Sequence, residues 1–222
     1  MRLRVARLAA SALGAFALGA AVLVPASLGT GVCPSPGTRP DPGPPGWVER
    51  VGERLEARMP ELDPQGRNRL ARTLVLEAEL ARIDPLLVLA VIEVESAYDL
   101  SARSERGALG LMQLREPTLR REVERAGLDW TDPHDPATNL RAGIRYLRRL
   151  LDAFGREEVA LMAYNAGPNR ILGYLREEGG IPDRFQAYPR KVMAELRRLR
   201  RAFGEERATT LAAAEPVPLP LQ

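Results

Sequence analysis

The run Asp84-Pro85-Leu86-Leu87-Val88-Leu89-Ala90-Val91-Ile92 constrains this chain more than any other part of it. An aspartate followed by proline is a helix start: the carboxylate caps the first free N–H groups, and proline fits the first helical position. From Leu86 to Ile92 every residue is apolar, so the helix has no face that prefers water. Such a helix must lie at the centre of the domain, with other elements packed around it. It runs on into Glu93-Val94-Glu95-Ser96, which brings carboxylates to the end of a buried rod.

The segments around it read as its packing partners. Val48–Met59 and Arg67–Ile83 carry apolar residues at three- and four-residue spacing, the period of a half-buried helix. Further helices are expected over Thr118–Ala126, Pro136–Phe154, Glu157–Tyr164, Pro168–Glu178 and Ala187–Phe203. Asn165-Ala166-Gly167-Pro168 reads as a stop and restart between two of them. Ser101–Leu114 lacks helical period and contains Gly107 and Gly110, so it reads as loop with short extended pieces. The expected fold is mostly α, a single helical domain with one irregular stretch beside the central helix. Its bounds are placed at residues 47–207, long enough for a substantial core.

The flanks differ in composition. Residues 1–33 begin with Arg2, Arg4 and Arg7 and continue as an uncharged Ala/Leu/Gly-rich run. That pattern is an export signal, cleaved or retained as an N-terminal membrane anchor. Residues 34–46 are mostly proline and glycine, a stiff linker, and 208–222 are expected to be a disordered tail. A pI near 9.4 invites a nucleic-acid reading. The three N-terminal arginines account for the whole net charge of +3, which removes that argument. The arginine clusters at 145–149 and 197–201 read as solvated helix faces. Cys33 and His134 are the only residues of their kinds, so disulfides, cysteine metal sites and a Ser/His triad are not expected. No cofactor and no metal is expected.

Glu95 is the carboxylate of interest. It lies in the last turn of the central helix on the face of Val88, Val91 and Ile92. Contact with aliphatic surface, near the negative end of the helix dipole, disfavours ionisation and raises the pKa. Taken alone, a glutamate there reads first as an acid paired with an arginine at a helix end. Glu93 points to another side, so the two do not form a paired site. Glu77, Glu79 and Glu105 have nothing to separate them from solvated charges.

The neighbouring strings change the reading. Ile92-Glu93-Val94-Glu95-Ser96, Gly107-Ala108-Leu109-Gly110-Leu111-Met112-Gln113-Leu114, Ala163-Tyr164-Asn165-Ala166-Gly167-Pro168 and Tyr188-Pro189-Arg190-Lys191-Val192 occur in this order. Together they resemble the soluble lytic transglycosylases of glycoside hydrolase family 23, over roughly Ile83 to Val192. The resemblance implies a lysozyme-like α+β fold of the goose type. It puts the catalytic acid on Glu95 and substrate contacts on Ser104, Gln113, Tyr164 and Asn165. Hydroxyl and amide groups at Ser104 and Gln113 suit sugar hydroxyls and N-acetyl groups. Tyr164 reads equally as a core aromatic with its hydroxyl satisfied. Met112 and Leu111 read as core.

The resemblance also implies the substrate, the glycan strands of peptidoglycan. One glutamate would serve as acid and then as base, leaving a 1,6-anhydromuramic end. Hydrolysis of the goose-lysozyme kind is the near alternative. A noncatalytic glycan-binding scaffold that docks cell-envelope machinery is the distant one. No nucleic-acid partner is expected, and membrane contact only through the N-terminal segment. The implied location is the periplasm or cell envelope. Two departures from the family pattern stand out. Arg115-Glu116-Pro117 replaces the usual Met-Pro after Leu-Met-Gln-Leu, and Phe185-Gln186-Ala187 stands where some members have a second glutamate.

Overall fold

A computed structural model describes residues 46–127 and 135–213. The export segment 1–33, most of the 34–46 linker, Cys33 and His134 lie outside the described residues. The elements, in order, are α1 (Trp47–Arg58), α2 (Pro64–Leu80), α3 (Pro85–Ser96), β1 (Ala108–Leu109), β2 (Leu114–Arg115), α4 (Glu116–Arg125), α5 (Pro136–Phe154), α6 (Glu157–Ala166) and α7 (Pro168–Arg176). A 3-10 turn (Asp183–Gln186) then leads into α8 (Ala187–Ala213).

The central helix is where the sequence puts it. Leu86 through Ile92 are all buried, and Asp84 accepts a hydrogen bond from the Leu86 N–H at 2.9 Å. The main partner of α3 is α8, while α1 and α2 pack as a pair and α2, α5 and α6 follow in series. The two short strands are antiparallel, with Ala108 opposite Arg115 and Leu109 opposite Leu114. They are the only sheet among the described residues, so the domain is mostly α.

Some boundaries differ from the expected ones, each for a local reason. α2 starts at Pro64 rather than Arg67, because Asp63 caps Gln65 and Gly66 with Pro64 in the first turn. α4 starts at Glu116 rather than Thr118, since Arg115 is extended and Pro117 fits the first turn. α6 continues through Asn165 to Ala166 before Gly167 stops it at φ 93°. α7 ends at Arg176, short of Glu178. α8 continues past Phe203 and past residue 207, where the tail was placed, to Ala213. Residues 205–213, apart from Thr209 and Thr210, are good helix formers, and the next proline is Pro216.

The expected solvated charges at Glu77 and in the 145–149 cluster are a second correction. Glu77 and Glu122 are buried. Glu77 accepts hydrogen bonds from Arg145 at 3.0 and 3.3 Å and lies 3.6 Å from Arg141. Glu122 is paired with Arg149 and Arg125. These arginines therefore close buried ion pairs between α2, α4 and α5, and removing one partner would strand a charge.

The end of α3 is held from outside. Ala97 and Tyr98 are both left-handed, at φ 51° and 70°, an uncommon state for residues with a Cβ. Tyr98 is buried with the guanidinium groups of Arg54 and Arg58 over its ring at 5.6 and 5.3 Å. The same arginines bind Glu93 at 3.2 and 2.7 Å. α1 thus fixes the turn that stops α3 one residue beyond Glu95, and Glu93 is committed to this clamp.

Candidate active site

The glycine-bearing loop forms one wall of a cleft beside the end of α3. Gly110 turns at φ 70° and Gln113 at φ 45°. A non-glycine residue is held in that state by its own side chain: Gln113 Nε2 donates to the carbonyls of Ala102 at 3.0 Å and Gly110 at 2.9 Å. Only the nitrogen end can serve two carbonyl acceptors, so Oε1 is the end left over. Ser104 Oγ accepts the Ala108 N–H at 3.0 Å, which leaves the hydroxyl hydrogen for another acceptor. The wall therefore offers one acceptor and one donor.

Three contacts tie this loop to the helices. Ser96 Oγ donates to the Leu111 carbonyl at 2.9 Å. Asn139 of α5 accepts the Met112 N–H and donates to the Leu109 carbonyl, both at 2.9 Å. Tyr164 donates to the Met112 carbonyl at 2.8 Å. Met112 and Leu111 are buried, as expected. α5 approaches so closely that a Cβ on Gly143 would lie 2.6 Å from the Met112 Cβ.

The cleft encloses about 700 Å³. All five residues singled out in the sequence line it: Glu95, Ser104, Gln113, Tyr164 and Asn165. Their states differ. Tyr164 is buried with its hydroxyl on Met112, so its ring edges the cleft while its polar end holds the loop. Asn165 is exposed at the end of α6.

Glu95 is the only acid among the lining residues. It has no arginine partner of the kind a helix-end glutamate would be expected to take. Its partner is Tyr188 of α8, whose hydroxyl donates to Oε1 at 2.6 Å. Burial raises the Glu95 pKa from 4.5 to about 7, against the Tyr188 hydrogen bond, which favours the ionised form. Tyr188 is itself pushed well above the usual tyrosine range by burial and then by the Glu95 charge, so it remains a donor. Replacing Tyr188 with Phe removes the one contact that favours the carboxylate. The Glu95 pKa should then rise above about 7, read as an upward move of the alkaline limb of kcat/KM against pH. An unmoved limb would mean that the hydrogen bond does not tune this acid.

Sequence reasoning noted Tyr188 only as part of a closing Tyr-x-x-x-Val element, without a role in the site. Asn139 likewise had no role. Neither contact leaves a periodic trace, since their partners lie 93 and 27 positions away. The residues could be picked out only as polar groups on helices whose other inward positions are apolar. Among the described residues no group of histidine, cysteine or acidic side chains could hold a metal.

The mostly helical domain, with one glutamate at the end of its central helix facing a polar cleft, has a lysozyme-like fold. The transglycosylase SLT domain family matches residues 76–184, just under half of the chain. The chain is 32% identical over 137 residues to the transglycosylase of Enterobacteria phage PRD1, covering 62% of this chain and 45% of the phage protein. It is 34% identical over 100 residues to the soluble lytic murein transglycosylase of Salmonella typhimurium, covering 43% of this chain and 16% of that protein. Among solved structures, an inactive mutant of lytic transglycosylase Slt from Pseudomonas aeruginosa superposes with a TM-score of 0.55 at 24% identity. That match covers 71% of this chain and 30% of the other. The 70 kDa soluble lytic transglycosylase of Escherichia coli gives 0.52 at 23%, over 71% and 30%. The chain spans less than half the length of each of these proteins.

Proposed function

We propose that this protein is a peptidoglycan lytic transglycosylase that cleaves the β-1,4 bond between N-acetylmuramic acid and N-acetylglucosamine. The observation that carries the reading is Glu95: one carboxyl in an open cleft, with burial holding its pKa near 7. A two-carboxylate glycosidase flanks the bond with a second acid, and the lining residues include none.

In this reading protonated Glu95 donates to the glycosidic oxygen as its bond to C1 breaks. The resulting carboxylate then takes the proton of the muramic 6-hydroxyl as that oxygen bonds to C1. The proton count closes, no water is consumed, and the new end is a 1,6-anhydro sugar. Tyr188 steadies the carboxylate through both steps. Ser104 and Gln113 present a donor and an acceptor to an N-acetyl or hydroxyl group, and Asn165 lies on the other lining segment. The chain's N-terminal pattern supports export to the cell envelope, by a signal peptide or an anchor. Docking to envelope machinery belongs to the same proposal.

Mass spectrometry of purified peptidoglycan digested with the protein tests the reading. Anhydromuramic fragments are expected. Fragments heavier by one water would make it a lysozyme, and binding without any fragments would make it a scaffold.

A further inference from the structure

Many described arginines of this protein have an acid within reach: Arg54, Arg58, Arg145 and Arg149 are examples. In the cleft none does. Arg106, Arg115 and Arg170 line it, all three are exposed, and none is paired with an acid among the described residues. Glu116, next to Arg115, is taken by Arg120 at 3.2 Å. The only acid of the lining is Glu95, which is about half neutral at pH 7. Arg106 and Arg115 belong to the hairpin wall, whose register sets Ala108 opposite Arg115. Arg170 belongs to the first turn of α7.

Unpaired guanidinium groups on two segments of one cleft make a site for carboxylates, because the planar fork matches a carboxylate in charge and shape. A glycan backbone of N-acetylated sugars is neutral. Its anionic groups are carboxylates of the peptides attached to the lactyl group of muramic acid. Resting on the function proposed above, we infer that Arg106, Arg115 and Arg170 form a carboxylate-reading rim that makes binding depend on the charge state of the stem peptides. Strands whose stem carboxylates are free are held, and strands whose carboxylates are amidated are held weakly.

The test is sedimentation binding of the full chain carrying Glu95→Gln, which keeps sacculi intact. Native sacculi are compared with sacculi whose carboxylates have been converted to methylamides. Tighter binding to native sacculi is expected, by about tenfold for three exposed contacts, and the difference should shrink as salt rises. Adding Arg106→Gln, Arg115→Gln and Arg170→Gln together should abolish the contrast. Removing the same charge elsewhere, at Arg72, Arg156 and Arg201, should leave it intact. Equal binding to both sacculi, or equal losses from the two triple variants, would overturn the inference. Digestion of native sacculi by the wild type, run in parallel, reports on the proposed activity alone. Loss of that activity would remove the functional reading without touching the binding contrast.

Discussion

Glu95→Gln should lower cleavage of purified peptidoglycan by at least 10²- to 10⁴-fold, about the range set by removing a positioned acid, and should at the same time stabilise the fold at alkaline pH. The second effect follows from the first by linkage. The carboxyl titrates near 4.5 when unfolded and near 7 when folded. Between those values the folded state binds more protons than the unfolded one, so stability falls as pH rises. Below pH 4.5 both states are protonated and nothing is lost. Above pH 7 the full penalty is present, of the order of 3 kcal/mol. Glutamine keeps an oxygen to accept from Tyr188 and has no charge to bury. Thermal melts should therefore separate the variant from the wild type at pH 8 and bring them together near pH 4. Coincident melts at both pH values would mean that the site does not hold this carboxyl against ionisation, and retained cleavage would remove Glu95 from the chemistry.

Asn139→Leu should be the most damaging single change outside the acid. The asparagine is 2% exposed and bridges the Met112 N–H and the Leu109 carbonyl. Leucine has similar bulk, so packing is nearly preserved while two buried backbone groups lose their partners. Each orphaned group costs about 1–3 kcal/mol. The neighbourhood has no slack: a Cβ on Gly110 would already lie 2.8 Å from the Asn139 Cγ. Because Met112 also anchors Tyr164, the loop that carries Ser104 and Gln113 should loosen, and activity should fall further than stability alone predicts. Urea denaturation read beside kcat/KM checks both parts. A stability loss under about 1 kcal/mol would show that the bridge contributes little beyond packing.

The sequence made some of this legible and hid the rest for identifiable reasons. Asp84-Pro85 marked a helix start because capping is local chemistry, and the cap forms; Asp135 caps α5 in the same way, although its stretch reads as a turn in the sequence. The burial of Leu86–Ile92 followed from the absence of a polar face. The position of Glu95 in the last helical turn followed from the same period, and so did the direction of its pKa. Its partner did not follow, because Tyr188 arrives from α8 and no spacing rule links the two. The helix-end ion pair expected of a glutamate does occur two residues earlier, where Glu93 meets Arg54 and Arg58. The buried pairs of Glu77 and Glu122 were hidden for the same reason: a charge looks solvated until an opposite charge from another helix is brought to it. The left-handed Gln113 could not be read from residue type, since the backbone state depends on two carbonyls that only the folded loop supplies.

The stacking of Trp47 on Phe203, with ring centroids 5.8 Å apart, puts the first turn of α1 against the middle of α8. Arg50 lies over both rings, at 5.5 and 4.6 Å. The path from Trp47 out to the cleft and back to Phe203 begins and ends at one corner, so Glu95 and Tyr188, 93 positions apart, lie on a loop of chain that this corner closes. A chain cut elsewhere and joined across this corner would describe the same circuit with the tyrosine written first.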